Sequence, residues 1–471
     1  MVFSSSLFLV YFLPSFLLLY FITDKKYKNL IALLASAIFY LWGGRLFSFI
    51  LFASIVIDFR LIKRSHNSTG EERIFLFWSS IVLNLVLLGY FKYANFFVST
   101  LVDVSGFDPH WVKVILPIGI SFFTFQKISY TIDVIKGDKE PLDSFTDYAL
   151  YVLFFPRLIA GPIVRYHEIV SDLLDREKRD TIDDKIMGFF RFSIGLAKKV
   201  LIANTLAVTV DKIFLAPVDH LTLLDAWLGL LLFTFQIYFD FSGYSDMAIG
   251  LGRILGFKLP ENFNFPYISQ NITEFWKRWH ITLGNWMKDY LYVPLGGNRA
   301  TKNRLYINLS VVFLLSGLWH GSSWNFIIWG IFHGLFLILD RMFLIKLSEK
   351  YGNYFSIPFT FFIITISWVI FKIDNLNHLG SFLSVLFTGG LSKFPLVILD
   401  AKTITVFLLA IVISFSPLLN PVKVLLDRVS NWTNLSDKKA LVIGCLTFFI
   451  VTICLSHVAA SDFNPFIYFR F

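Results

Sequence analysis

Residues Ser316–Gly334, SGLWHGSSWNFIIWGIFHG, put one ionisable ring, His320, inside sequence that otherwise reads as a membrane helix. Leu314, Leu315, Leu318 and Trp319 precede the histidine, and Trp324, Phe326, Ile327, Ile328 and Trp329 follow it. An ionisable side chain at membrane depth is costly and is a functional-site hypothesis by default. Gly317, Gly321, Ser322 and Ser323 crowd the same turn, where small residues let neighbouring backbones approach and let a helix loosen around the imidazole. The alternative is a packing histidine, satisfied by one backbone carbonyl between helices. The choice between the two depends on the rest of the chain.

Of the 471 residues, 56% are hydrophobic and 16% charged, and the mean hydropathy is +0.66. A water-soluble domain would not tolerate that surface, so the fold class is an all-α polytopic membrane protein with about 11–13 transmembrane or re-entrant helices. Fifty-five phenylalanines and twelve tryptophans fit helices that face lipid and carry rings at their ends. The net charge of +9 does not imply nucleic acid, because Lys and Arg lie in short clusters between apolar runs. The first 23 residues carry no charge before Asp24 and no small-residue cleavage site, so they read as a retained first span. Cys445 and Cys454 both fall in the last apolar run, and they indicate neither a disulfide framework nor a zinc site.

Apolar runs recur near 5–22, 29–42, 46–59, 74–91 and 114–135. With the N-terminus outside, the loops facing the cytoplasm hold Lys25, Lys26, Lys28, Arg60, Lys63, Arg64, Arg73, Lys136 and Lys139. The opposite loops hold only Arg45, Lys92 and Lys113. The positive-inside rule therefore places the N-terminus outside. Further runs lie near 187–215, 222–250, 305–318, 324–345, 357–373, 379–391, 403–419 and 440–457. Lys423, Arg428, Lys438 and Lys439 precede the last of them, which sends the C-terminus outside as well.

Between 148 and 300 the apolar runs are interrupted. YVLFFPRLIAGPIVRYHEI carries Pro156, Arg157, Gly161, Pro162, Arg165 and His167, and broken helix at membrane depth survives only when protein or water surrounds it. The charged stretch Ser171 to Lys185 reads as an amphipathic surface segment. In QIYFDFSGYSDMAIGLGRILGF, Asp240 and Asp246 are either catalytic or, as is commoner for such carboxylates, paired with an arginine or capping a backbone amide. Pro260 to Arg299 is too polar to cross a membrane and too aromatic for a solvated loop. On one continuous helix Trp276, Trp279, His280, Leu283 and Met287 share a face opposite Arg278, Asn285 and Lys288. That is an interfacial or re-entrant helix, with His280 either functional or a passenger on a membrane anchor. The whole of 1–471 reads as one membrane domain whose core, 148–334, contains both histidine motifs. No internal repeat stands out.

These segments, with FQIYFDFSGYSDMAIGLGRILGFKLPENFNFPYISQNITEFWKRWHITLGNWMKDYLYVPLGGNR between them, closely resemble the membrane-bound O-acyltransferases of the bacterial alginate O-acetyltransferase type. The likeness runs from the first helix to the terminal NPFIYFRF. It implies many helices around a central funnel or tunnel, an acyl donor approaching from the cytoplasm, and location in the bacterial cytoplasmic membrane. The family's essential histidine falls on His320, and its companion falls on His280, although this chain reads EFWKRWH there. The resemblance also implies an extracytoplasmic partner of the SGNH-hydrolase type, no bound cofactor, and acetyl-CoA as donor.

Ester synthesis from a thioester needs a base to take the alcohol's proton, a task that suits an imidazole and is worth about 10²–10⁴ in rate. Burial among Trp319 and Trp324 disfavours imidazolium, so His320 should be neutral. His280 is then expected to orient the donor, the acceptor or His320. Trp276, Arg278, Trp279, Trp319 and Trp324 are the candidate lining of the tunnel. No acidic or cysteine ligand stands at metal spacing beside either histidine, and no Gly-x-Ser-x-Gly turn supplies a serine nucleophile. Three functions compete: acetyl transfer to an extracytoplasmic polysaccharide, D-alanyl transfer to teichoic acid, and flipping of a lipid-linked sugar, which would predict symmetric halves. In the tail, Phe466, Phe469 and Phe471 suit an interfacial anchor. Tyr468, the only hydroxyl of the last ten residues, is either part of that anchor or an acyl acceptor.

Overall fold

The computed structural model describes residues 2–44, 47–107, 109–299, 301–390, 396–424, 435–460 and 467. Among them every regular element is helical, and the one extended pairing is an isolated antiparallel bridge between Phe263 and Trp279. Lipid supplies no hydrogen bonds, so apolar segments must satisfy their own backbone, and a helix does so within one segment. Six helices among the described residues are long and apolar enough to cross a membrane: Gly70–Ser105, Leu223–Ile254, Trp324–Tyr351, Asn353–Lys372, Ala401–Leu418 and Asp437–Ala460. Leu7–Ile22 and Leu376–Thr388 are shorter apolar helices. Phe75, Trp78, Phe448 and Phe449 stand exposed on these helices, as rings facing acyl chains should. The protein is a multi-pass membrane protein.

The contacts divide the chain into two units, Met1–Phe192 with Met247–Pro260, and Ser193–Asp246 with Glu261–Phe471. In the first, α1 (Phe47–Asn67), α2 (Gly70–Leu88) and α3 (Ile120–Ile135) pack around a buried ion pair. Lys127 on α3 reaches Asp58 on α1 at 2.8 Å with both side chains fully buried. Ser80 and Asn84 of α2 donate to the same carboxylate at 2.9 and 2.8 Å. Such a pair is tolerable in low dielectric because further hydrogen bonds satisfy its remaining lone pairs.

The apolar run near 114–135 becomes helical only at Ile120. Pro117 has no amide to donate, and Gly119 turns the chain with φ 76°, where a Cβ would lie 2.6 Å from the Leu158 carbonyl oxygen. The break expected around Pro156 is present. Helix α4 (Phe145–Leu153) stops, and Phe155–Leu158 forms a separate turn. The Arg157 guanidinium lies fully buried there and donates to the carbonyls of Tyr151 and Val164, the groups that the break would otherwise leave bare.

In the second unit, α5 (Leu223–Ile254, of which 223–246 belong here) is mostly buried. Next come α6 (Ile272–Arg278), α7 (Ile281–Met287), α8 (Lys302–His320), α9 (Trp324–Leu339) and α10 (Asn353–Lys372). Small residues bring α8 and α9 together: a Cβ at Gly317 would lie 2.3 Å from the Phe326 carbonyl oxygen, and one at Gly330 would lie 2.5 Å from that of Phe313.

The single amphipathic helix expected across 276–287 is not formed. The chain leaves α6 at Trp279, passes through the left-handed region at His280 (φ 45°, ψ 50°) and restarts as α7. Backbone pairing causes the break. Asn264 N–H donates to the Arg278 carbonyl at 2.9 Å, and Ile281 N–H donates to the Asn262 carbonyl at 3.0 Å, in place of helical bonds. A non-glycine residue in that region is strained and is held by its surroundings.

Candidate functional site

His320 is the last residue of α8, and its ring is 1% exposed. Trp329, Trp319 and Phe371 surround it at centroid distances of 5.0, 5.1 and 5.5 Å. Trp324, expected among these walls, instead stands 47% exposed at the first turn of α9. The reason is helical phase: Trp329 and Phe326 take the inward face of that helix and are almost fully buried.

His280 lies 6.4 Å from His320, ring centroid to ring centroid, and is equally buried. Trp319 touches both, standing 5.8 Å from His280, while Phe241 of α5 covers His280 edge-on at 4.7 Å. The rings expected on a common stripe with His280 point apart because the helix is broken. Trp279 packs with Phe275, Trp368, Phe263 and Tyr238. Trp276 meets Phe313, Trp329 and His333. Arg278 pairs with Glu274 at 2.8 Å and donates to the Asn264 carbonyl.

Burial pushes the His280 imidazole down to about 3, so the ring is neutral. Its Nδ1 lies 3.0 Å from Asn262 Oδ1, an oxygen that also receives the backbone N–H and the hydroxyl of Thr282 at 3.3 and 2.9 Å. Nε2 is buried with no hydrogen-bond partner among the described residues.

Asp240 and Asp246 take the structural role. Asp240 pairs with Lys199 at 2.5 Å and accepts the Ile467 amide at 2.9 Å, and Asp246 pairs with Lys198 at 2.7 Å. Lysines stand where an arginine was expected. Tyr468, the candidate acyl acceptor, lies outside the described residues. Among the described residues no three His, Cys, Asp or Glu side chains are grouped to hold a metal ion.

Sequence reading passed over two buried residues of this region. His333 accepts the Trp276 indole N–H at Nδ1 (3.3 Å), and its position four residues after Trp329, one helical turn on, was the available signal. Asn262 had no such signal, because its role depends on a chain crossing that periodicity does not encode.

Residues 140–373 match the model of the MBOAT, membrane-bound O-acyltransferase family. The chain is 44% identical over 399 residues to the probable alginate O-acetylase AlgI of Pseudomonas aeruginosa, covering 83% of this chain and 75% of that protein. The chain belongs to the membrane-bound O-acyltransferase family. It is an acyltransferase. The peptidoglycan O-acetyltransferase of Helicobacter pylori is 39% identical over 417 residues, 80% of this chain and 78% of that protein. The teichoic acid D-alanyltransferase of Bacillus subtilis, also similar, is 26% identical over 74% of this chain and 96% of its own length. Within this MBOAT chain the family match contains α4 to α10, and with them both histidines.

Proposed function

We propose that the protein takes acetyl groups from cytoplasmic acetyl-CoA and moves them across the bacterial cytoplasmic membrane for O-acetylation of an extracytoplasmic polysaccharide of the alginate type. The observation that carries this reading is the pair of buried imidazoles 6.4 Å apart in a chain 44% identical to a probable alginate O-acetylase. His320 is the base. It takes the proton of the attacking hydroxyl, the oxygen bonds to the acyl carbon, the carbon–sulfur bond breaks, and the thiolate leaves with the proton returned by the imidazolium. Asn262 engages His280 Nδ1, so of the orienting roles open to His280 those in which Nε2 receives a hydrogen remain: from the acceptor hydroxyl, or from an N–H of His320. Trp319, shared by both rings, lines the reacting space of this proposal, and Trp276, Arg278 and Trp279 line the tunnel that leads to it.

His320→Ala should lower glycan acetylation by about 10²–10⁴-fold or more while the protein still folds and inserts. Normal acetylation by that variant rejects the assignment. Labelled acetyl-CoA given to inside-out vesicles separates this function from sugar flipping, because only a transferase releases CoA. D-alanyl-loaded donor in the same vesicles tests the function named for the Bacillus relative.

The hydroxyl that first receives the acetyl group belongs, in this proposal, to Tyr468. Support comes from its neighbour Ile467, whose amide is fixed to Asp240, the residue preceding the ring that covers His280. An acyl-phenol formed there passes its acetyl group to an extracytoplasmic SGNH-type partner. Tyr468→Phe removes only the oxygen: a carrier should lose all glycan acetylation, and an interfacial anchor should lose none.

A further inference from the structure

Asn262 is fully buried, and its backbone carbonyl and both side-chain polar atoms are engaged. The backbone carbonyl receives Ile281 N–H at 3.0 Å, the side-chain Nδ2 donates to Ser245 Oγ at 3.0 Å, and Oδ1 receives Thr282 N–H, Thr282 Oγ1–H and His280 Nδ1. Which atom is oxygen follows from Thr282, because a backbone N–H can only donate and so must face an acceptor. An amide oxygen carries no hydrogen, so the hydrogen between it and His280 belongs to Nδ1. In a neutral imidazole the second nitrogen is then a bare lone pair, and here that nitrogen is Nε2, which has no hydrogen-bond partner among the described residues.

We infer that Asn262 is a positioning residue for acyl transfer, holding His280 in the Nδ1–H tautomer so that Nε2 can only receive a hydrogen. This rests on the acyltransfer reading above and sharpens it. His280 cannot donate to the thioester oxygen or to the oxyanion that forms from it, so it serves the hydroxyl side of the reaction, either directly or by accepting from His320. The same residue explains the strained backbone. Its main chain captures Ile281 and its side chain captures His280 and Thr282, which together hold φ of His280 at 45°.

His320 on α8 stands beside His280, and the two carboxylates of α5 next in sequence to Phe241 and Ser245, which touch His280 and Asn262, are Asp240 and Asp246, each paired with a lysine. With those charges compensated, a carboxylate introduced at position 262 becomes the dominant field on the ring. Asn262→Asp keeps the shape and the acceptor but stabilises imidazolium, which brings the His280 pKa back up toward the ordinary value of about 6.5. A group with a raised pKa is protonated, and here inactive, below that value. The variant should therefore show acetyl transfer falling at least tenfold from pH 8 to pH 5, with the KM for acetyl-CoA unchanged, while the parent shows no such limb from His280.

A direct readout needs no activity. In protein carrying ¹⁵N-histidine, with His280→Gln used to assign the signal, His280 should show a protonated Nδ1 and an unprotonated Nε2 across pH 5–8, and Asn262→Asp should show both nitrogens protonated at the acid end. Finding the Nε2–H tautomer in the parent overturns the inference, as does a pH profile of Asn262→Asp that superimposes on the parent's. Should Asn262→Asp not fold, Thr282→Val, which frees one acceptor site on Oδ1 and leaves the His280 bond, should keep both the tautomer and the rate within about threefold. Loss of the tautomer in that variant rejects Asn262 as its cause. If the parent shows the expected tautomer but releases no CoA, the acyltransfer reading fails and the tautomer assignment stands.

Discussion

At the scale of single residues, the rings around His320 differ in how they act. Trp329 touches His320 at 5.0 Å, and His333 touches Trp329 at 4.7 Å. The Trp276 indole N–H donates to Nδ1 of His333 at 3.3 Å. His333→Phe keeps the ring stack and orphans that donor, so the expected loss is about 1–3 kcal/mol of stability, read as a lower melting temperature in detergent. The rate per folded molecule should fall far less than in His320→Ala, and His333→Gln, which retains an acceptor, should restore most of the stability. A rate loss in His333→Phe as large as that of His320→Ala would make His333 a participant in the chemistry. His320 was legible in the sequence because a charged-capable ring in an apolar run needs a reason. Asn262 was not, because its partners are brought to it by a bridge between Phe263 and Trp279 that no local pattern announces.

At the scale of elements, the short helix α6 delivers Trp279 and His280, so what fixes its start bears on the site. Asp340, immediately after α9, receives both the backbone N–H and the hydroxyl of Thr273 at 2.7 and 2.8 Å. Asn271 caps the same end by accepting Glu274 N–H at 2.8 Å, and Glu274 in turn pairs with Arg278 at the other end. Asp340→Ala should cost about 0.5–2 kcal/mol through the lost cap. Because the freed end belongs to the helix that leads into His280, kcat should fall several-fold beyond the change in folded protein, with Asp340→Asn intermediate. Equal kcat per folded molecule would show that α7 and Asn262 suffice to hold His280. The contrast with the expected continuous helix is instructive. Trp276 to Met287 has a good amphipathic period, yet backbone bonds from 262–264 outcompete two turns of helix, and periodicity reports only which residues prefer burial.

At the scale of the whole molecule, composition was decisive for class, since a chain 56% hydrophobic has to place its surface in lipid. It was less informative about spans, because runs such as 114–135 mix coil and helix and the first unit buries an ion pair within its helices. Orientation is where sequence carries a specific expectation: both termini outside, with the loop at 60–73 in the cytoplasm. The chain has two cysteines, Cys445 exposed on an apolar helix and Cys454 buried, so replacing both by Ala gives a background for single reporters. Thr69→Cys lies in the basic loop at a position that makes no side-chain cap bond, and Ser461→Cys lies in the tail that follows Asp437–Ala460. In intact spheroplasts a membrane-impermeant maleimide should label Ser461→Cys and leave Thr69→Cys unlabelled until the membrane is opened. The reverse pattern would put the tail on the donor side. An acyl group carried by Tyr468 would then never have crossed the bilayer, and the proposed relay would fail even with His320 fully active.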